Sequence, residues 1–177
     1  MIQRKVTYPF DSTFLDYPDN ESISALIRLI GCDHNCNKCQ NPQLRDYNYQ
    51  DGKEFSPEEI IPEFHSLCDR LETNKIVLSG GDPLSKHNIE WTKTLLDLSS
   101  KNFDYCIYTG YDIDWIVEHD IKGFKFIKTG IYVSSLSKVP VKTNDFMRLA
   151  SMNQCLYNSD LELLTIDGIL RFKNKQG

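Results

Sequence analysis

Long apolar runs are missing from this chain. The best of them, Ala25 to Ile30, is interrupted by Arg28 and falls far short of the ~20 residues that span a bilayer, so no membrane segment is expected. The opening stretch carries Arg4, Lys5, Asp11, Asp16 and Asp19 with no apolar h-region. No signal peptide is therefore expected, and the cytoplasm is the default location. A surplus of positive charge is missing too. Lys and Arg total 20 against 25 Asp and Glu, a formal charge of −5, so nothing in bulk attracts a phosphate backbone and nucleic acid is not expected as the main partner. Internal repeats, low-complexity tracts and long charge blocks are absent, and the composition rules out wholesale disorder. What remains is ordinary: 177 residues, 40% apolar and 25% charged, enough for one domain with a real core.

The six cysteines have no oxidising compartment to serve, so they are not read as a disulfide framework. Around them the chain divides into an irregular lead-in (1–23), a βα core (24–130) and a C-terminal extension (131–177), all in one domain. Ser24 to Ile30 reads as a mostly buried strand stopped by Gly31, and 32–50 as a loop. Ser56, Pro57 and Glu59 form an N-cap, an N1 proline and a capping box, followed by Ile60, Ile61, Phe64, Leu67, Cys68 and Leu71 on one helical face. Strands are then expected at 75–79, 105–109 and 124–128, with helices at 88–100 and 113–119 between them. Such alternation argues for βαβ units and a parallel sheet. Asp167-Gly168 between apolar runs at 161–166 and 169–172 predicts a C-terminal β-hairpin.

Four expected strands end in unusual loops: Gly31-Cys32, Gly80-Gly81-Asp82, Thr109-Gly110-Tyr111 and Thr129-Gly130-Ile131. The carboxyl ends of parallel strands form the active face of α/β folds, so these segments should converge. A closed (β/α)8 barrel takes ~200 residues or more, which leaves a partial (β/α) barrel with a mostly parallel sheet.

Cys32, Cys36 and Cys39 form a C-x3-C-x2-C loop. Three thiolates on an iron–sulfur cube leave one iron open to substrate. A Cys3His zinc site using His34 is an alternative, although such sites usually draw ligands from two knuckles. A ferredoxin-like carrier needs a fourth cysteine. Cys68 and Cys106 look like core residues, and Cys155 is a remote candidate.

This loop after a first strand, with Ser79-Gly80-Gly81-Asp82-Pro83 ending the second, resembles the radical S-adenosylmethionine (SAM) superfamily. Residues 31–41, 78–84 and 108–111, then Ile127 to Tyr132 and Ser151-Met152-Asn153-Gln154, resemble in the same order the activating proteins of anaerobic ribonucleoside-triphosphate reductases. Lys38 stands where that family usually has Gly, Ile131 where some relatives have Pro, and Cys155 where relatives often carry Arg. The resemblance implies a radical SAM domain in which Cys32, Cys36 and Cys39 hold a [4Fe–4S] cluster. Ser79, Gly80, Gly81 and Asp82 would hold the methionyl end of SAM, the glycines because backbone without Cβ atoms can approach a ligand closely. The backbone at Lys38 and Gln40 would touch adenine, and Thr109 would line the pocket. It also implies a partner, the large subunit of the anaerobic ribonucleotide reductase with its glycine-bearing C-terminal segment, and an electron donor such as flavodoxin. Activation of another glycyl-radical enzyme such as pyruvate formate-lyase, a small-molecule radical SAM reaction, and a non-catalytic zinc module are the rival readings.

Overall fold

A computed structural model describes residues 2–19, 23–137 and 148–170. In chain order the strands and helices are β1 (Arg4–Val6), β2 (Asp11–Thr13), β3 (Ser24–Leu29), β4 (Lys53–Phe55), α1 (Pro57–Leu71), β5 (Lys75–Gly80), α2 (Ile89–Ser99), β6 (Asp104–Tyr108), α3 (Ile113–Glu118), β7 (Phe126–Thr129), β8 (Cys155–Asn158), β9 (Thr165–Ile166) and β10 (Ile169–Leu170). A 3-10 turn at Pro42–Arg45 is the regular element inside the cysteine loop region.

The heart of the sheet is parallel: β3, β5, β6 and β7 lie side by side. Antiparallel strands extend it at both margins. β1 and β2 share one edge of β3, β4 lies beyond β1, and β8 pairs with β7. The sheet is open among the described residues, with β4 and β8 at its margins.

Alternation along the parallel strands sorts their side chains to two faces. Ala25, Ile27, Leu29, Ile76, Leu78, Tyr105 and Ile107 pack beneath the helices with Phe64 of α1, Leu95 of α2 and Ile116 of α3. Leu26, Val77 and Cys106 face the other way and are covered by Tyr17. α1 begins as expected: the Ser56 side chain accepts the Glu59 N–H and the Glu59 carboxylate accepts the Ser56 N–H. Pro62 sits within it without ending it.

Three expectations need correction. The lead-in is not irregular: it carries β1 and β2, three-residue strands too short to show a period and held by pairing to β3. β4 and β8 escaped the sequence for the same reason. The hairpin exists, turning at Asp167 (φ 49°) and Gly168 (φ 73°), the left-handed pair a two-residue turn requires. Its first strand starts only at Thr165, not at residue 161, because Leu161 is itself left-handed (φ 61°) and breaks extended chain. The part of the second run beyond Leu170 lies outside the described residues.

Candidate functional site

The carboxyl ends of the four parallel strands do meet. Leu29 pairs with Gly80 and Tyr108 with Lys128, and a cavity of about 290 Å³ opens at that end of the sheet. Of the residues singled out from the sequence, Cys32, Cys36, Cys39, Gln40, Ser79, Gly80, Gly81, Asp82 and Thr109 all line it. Lys38 does not: it is exposed, and its backbone adopts the left-handed conformation (φ 58°) that turns the loop toward Cys39. That conformation explains why glycine suits the position.

Asp82 ties the loops together. Its carboxylate is buried and accepts hydrogen bonds from Leu84 N (2.8 Å), Gly110 N (2.8 Å) and the Thr109 hydroxyl (2.9 and 3.0 Å). His34 Nε2 stands 3.0 Å from Oδ2, close but without the alignment of a hydrogen bond, so this ring nitrogen is buried without a hydrogen-bond partner among the described residues. The Asp82 main chain joins in: its N–H donates to Gly31 O (2.8 Å), and its carbonyl accepts from Asn88 Nδ2 (2.9 Å). One residue thus braces the entry to the cysteine loop, the glycine segment and the end of β6.

The neighbouring glycine is required by chain-on-chain packing. A Cβ at Gly81 would stand 2.3 Å from the Gly31 carbonyl oxygen and 2.6 Å from that of Leu44. The sequence points to closeness of backbone to ligand; the structure adds closeness of backbone to backbone, with Gly81 N donating to Leu29 O and Gly31 N to Leu44 O.

Asp33 anchors the outer side of the cysteine loop. Its carboxylate accepts from Lys86 N (2.6 Å), the Tyr47 hydroxyl (2.8 Å) and the Tyr111 hydroxyl (3.3 Å). Burial works to raise its pKa, but these bonds and the Lys86 charge outweigh that and hold the carboxyl below its usual range. His34, on the inner side, meets the Tyr111 ring edge-on at 4.5 Å, and Tyr111 stacks on Trp115 at 3.9 Å.

The two late motifs are bonded to each other. Gln154 Nε2 donates to Gly130 O (3.0 Å), Asn153 Nδ2 to Ile131 O (2.9 Å), and Val133 N to the Ser151 hydroxyl (3.3 Å). Residues 151–154 therefore clamp the loop that follows β7 onto the cavity wall, where Gly130, Ile131, Tyr132 and Gln154 all appear. Asn153 and Gln154 order a loop here. The sequence gives no place on the wall to Asp16, Arg28 or Tyr108, and it leaves Lys128 open between meeting an anionic ligand and a solvated strand end; all four line the cavity. Arg28, Tyr108 and Lys128 had a signal, the alternate positions of their strands, but it becomes visible only once the strands' inner face is known.

Cys32, Cys36 and Cys39 are free, half-buried thiols on one cavity wall. Cys68 and Cys106 are buried in the hydrophobic core, and Cys155, opposite Thr129 on β8, does not line the cavity. Among the described residues no three His, Cys, Asp or Glu side chains gather closely enough to hold a single metal ion. Burial pushes the Cys32 thiol up to about 12, helped by Asp82 and the other two cysteines and opposed by the His34 N–H. Three thiols, with no fourth cysteine on the wall, fit a cube with one open iron.

A parallel α/β sheet with three loop thiols facing a cavity at its strand ends defines a cluster-binding α/β protein. Residues 21–154 match the family described as "4Fe-4S single cluster domain", and the chain belongs to that family. One [4Fe–4S] cluster is thus its cofactor. No curated protein matches the chain. Among solved structures, QueE from Escherichia coli aligns with a TM-score of 0.45 at 17% identity, over 62% of this chain and 54% of that one. The chain therefore spans about half the length of that relative. Among the described residues no helix is long and apolar enough to cross a membrane.

Proposed function

We propose that this chain is a radical SAM enzyme that activates an anaerobic ribonucleotide reductase by forming a glycyl radical in the partner's C-terminal segment. One observation supports it most: the cysteine loop and the Gly80–Asp82 segment, which follow separate strands, face one cavity and are joined at Asp82, whose main-chain N–H donates to Gly31 O at the loop entry and whose carboxylate accepts from Gly110 N. The bound cluster would supply one electron to the sulfonium of SAM, releasing methionine and a 5′-deoxyadenosyl radical that takes a hydrogen atom from the glycine. The protein's own work is placement. Cys32, Cys36 and Cys39 hold the cluster at the mouth of β3. Gly81 N is tied to Leu29 O, and Asp82 joins the hydroxyl of Thr109 and the N–H of Gly110 to the segment whose own N–H holds Gly31 O. Gln154 and Asn153 hold the loop after β7 in position, narrowing access for water. The choice of a reductase among glycyl-radical partners rests on the sequence, on Gly80-Gly81-Asp82-Pro83-Leu84 and the late Asn153-Gln154.

The test is anaerobic. Reconstituted protein should hold about four irons per chain, lost in Cys32→Ala, Cys36→Ala or Cys39→Ala and kept in Cys155→Ala. With SAM, reduced flavodoxin and the reductase, a glycyl-radical doublet should appear in the electron paramagnetic resonance spectrum with methionine released. A colourless, zinc-loaded protein would remove the whole reading. Multiple turnovers of a small molecule with the reductase left radical-free, or a radical on pyruvate formate-lyase alone, would leave the radical SAM chemistry and replace the partner.

A further inference from the structure

Four rings form a column beside the cysteine loop. Tyr111 and Trp115 stack with centroids 3.9 Å apart and planes 12° apart, and Trp115 and His119 stack at 3.8 Å and 15°. His34 closes the inner end, edge-on to Tyr111 at 4.5 Å. Every other ring pair among the described residues meets edge-on or tilted, with centroids at least 4.6 Å apart. Both stacks are closer than the ~4.5–7 Å common for aromatic pairs, so their π systems overlap directly. Helical spacing builds the column: Tyr111, Trp115 and His119 are four residues apart around α3. Its two ends are fixed, since the Tyr111 hydroxyl donates to Asp33 (3.3 Å) and His119 Nδ1 to Trp115 O (2.9 Å).

The inner end reaches a cysteine of the cavity. His34 N donates to Cys32 Sγ (3.4 Å), and its ring is seated so tightly on the backbone that a Cβ at Gly110 would stand 2.4 Å from the imidazole. The outer end is the half-buried His119 at the close of α3. His34 lines the cavity, whereas Tyr111, Trp115 and His119 do not. The column therefore leaves the site sideways, through the wall and away from the mouth. Packing accounts for Tyr111 and Trp115, which lie against the core beside Ile113. It does not account for His119, which extends the stack beyond that core.

We propose that Tyr111, Trp115 and His119, joined to Cys32 through His34, are the route by which a protein-borne electron donor reduces the cluster. The proposal rests on the reading of the site as a radical SAM centre. On that reading each SAM cleaved draws one electron from the cluster, and SAM and the partner segment occupy the cavity while it is drawn. A space of about 290 Å³ is of small-molecule size and admits no protein donor. The electron has to arrive through the wall, and the overlapping rings are the coupled path there. A reduced flavoprotein meeting Trp115 and His119 loses one electron and the cluster gains it. No bond in the four side chains forms or breaks, none of the rings is itself reduced, and no proton moves along the column.

Stopped-flow bleaching of the reconstituted cluster tests the route, with rates read per loaded cluster so that occupancy does not enter. The donors are reduced flavodoxin and, on SAM-free protein, dithionite, which is small enough to enter the cavity. Trp115→Leu and His119→Leu should each slow reduction by flavodoxin severalfold and leave the dithionite rate at the wild-type value. Trp115→Phe keeps a ring in the stack and should recover most of the rate. Because the rings act in series, the double Leu variant should be little slower than the slower single one. Flavodoxin rates unchanged in both Leu variants overturn the proposal. So does equal slowing with both donors, which would make α3 a mere support of the cysteine loop, and so does a wild-type cluster that dithionite reduces and flavodoxin does not. If wild type takes up a cluster and never cleaves SAM, the radical SAM reading fails, and the ratio of the two reduction rates still decides the route.

Discussion

A single carboxylate does the joining at this site. Asp82 joins its own turn to the distant end of β6: Leu84 N, two residues on, and Thr109 Oγ1 and Gly110 N all donate to it. The physical reason is burial, since backbone N–H groups at the ends of β5 and β6 have no water to turn to and need an acceptor. Asp82→Asn offers one acceptor oxygen where two are used, and sets an amide NH2 against the Thr109 and Gly110 donors. We expect a loss of ~1–3 kcal/mol in urea unfolding of the cluster-free chain, the cost of an unsatisfied buried group. Thr109→Val, which removes one donor and leaves both oxygens otherwise served, should cost nearer ~1 kcal/mol. Wild-type stability in Asp82→Asn would mean that the carboxylate is not a brace. From the sequence Asp82 was legible as a site residue beside two glycines. Its bracing was not, because three of the groups it holds belong to loops whose proximity depends on strand register.

The elements differ in how openly the sequence announces them. α1 was legible down to its cap because a capping box and an i, i+3, i+4 stripe are local patterns. β3, β5, β6 and β7 were legible as apolar runs stopped by glycine or a strand-end loop. The three-residue strands were not, since their extended shape is imposed by a neighbour and not by their own residues. The cysteine loop and the glycine segment were legible as motifs, but their mutual packing was not. That packing changes the outcome expected for Gly81→Val. A ligand-only role would leave the cluster intact and weaken SAM binding. With the Cβ directed at the Gly31 and Leu44 carbonyl oxygens, the branched side chain must displace the start of the cysteine loop. We expect iron content after anaerobic reconstitution to fall together with the unfolding midpoint, by ~1–3 kcal/mol in stability. Full iron content with only SAM affinity reduced would restore the ligand-only role.

At the scale of the whole molecule, an open parallel sheet faces a problem that a closed barrel does not. Helices cover one face; the inner face has no opposite strands to fill it. Here the segment before β3 does the filling. Tyr17 is only 4% exposed and packs with Leu26, Val77 and Cys106. Its ring meets Phe126 edge-on at 5.5 Å, and the Lys75 ammonium lies 5.4 Å from its centroid. One residue earlier, Asp16 lines the cavity, and its carbonyl accepts the Tyr108 hydroxyl at 2.7 Å. The plug of the inner face and the floor of the site are thus one piece of chain. Tyr17→Ala should cost ~3–5 kcal/mol, a large share of the ~5–15 kcal/mol that holds a domain of ordinary stability together. Tyr17→Phe keeps the ring and should stay within about 1 kcal/mol of wild type. Because the floor moves with the plug, Tyr17→Ala should also weaken ligand binding under conditions where the chain remains folded, measured by titration well below the urea midpoint. If Tyr17→Ala unfolds within about 0.5 kcal/mol of wild type, the inner face does not depend on this residue, and the segment before β3 is no more than the lead-in its sequence resembles.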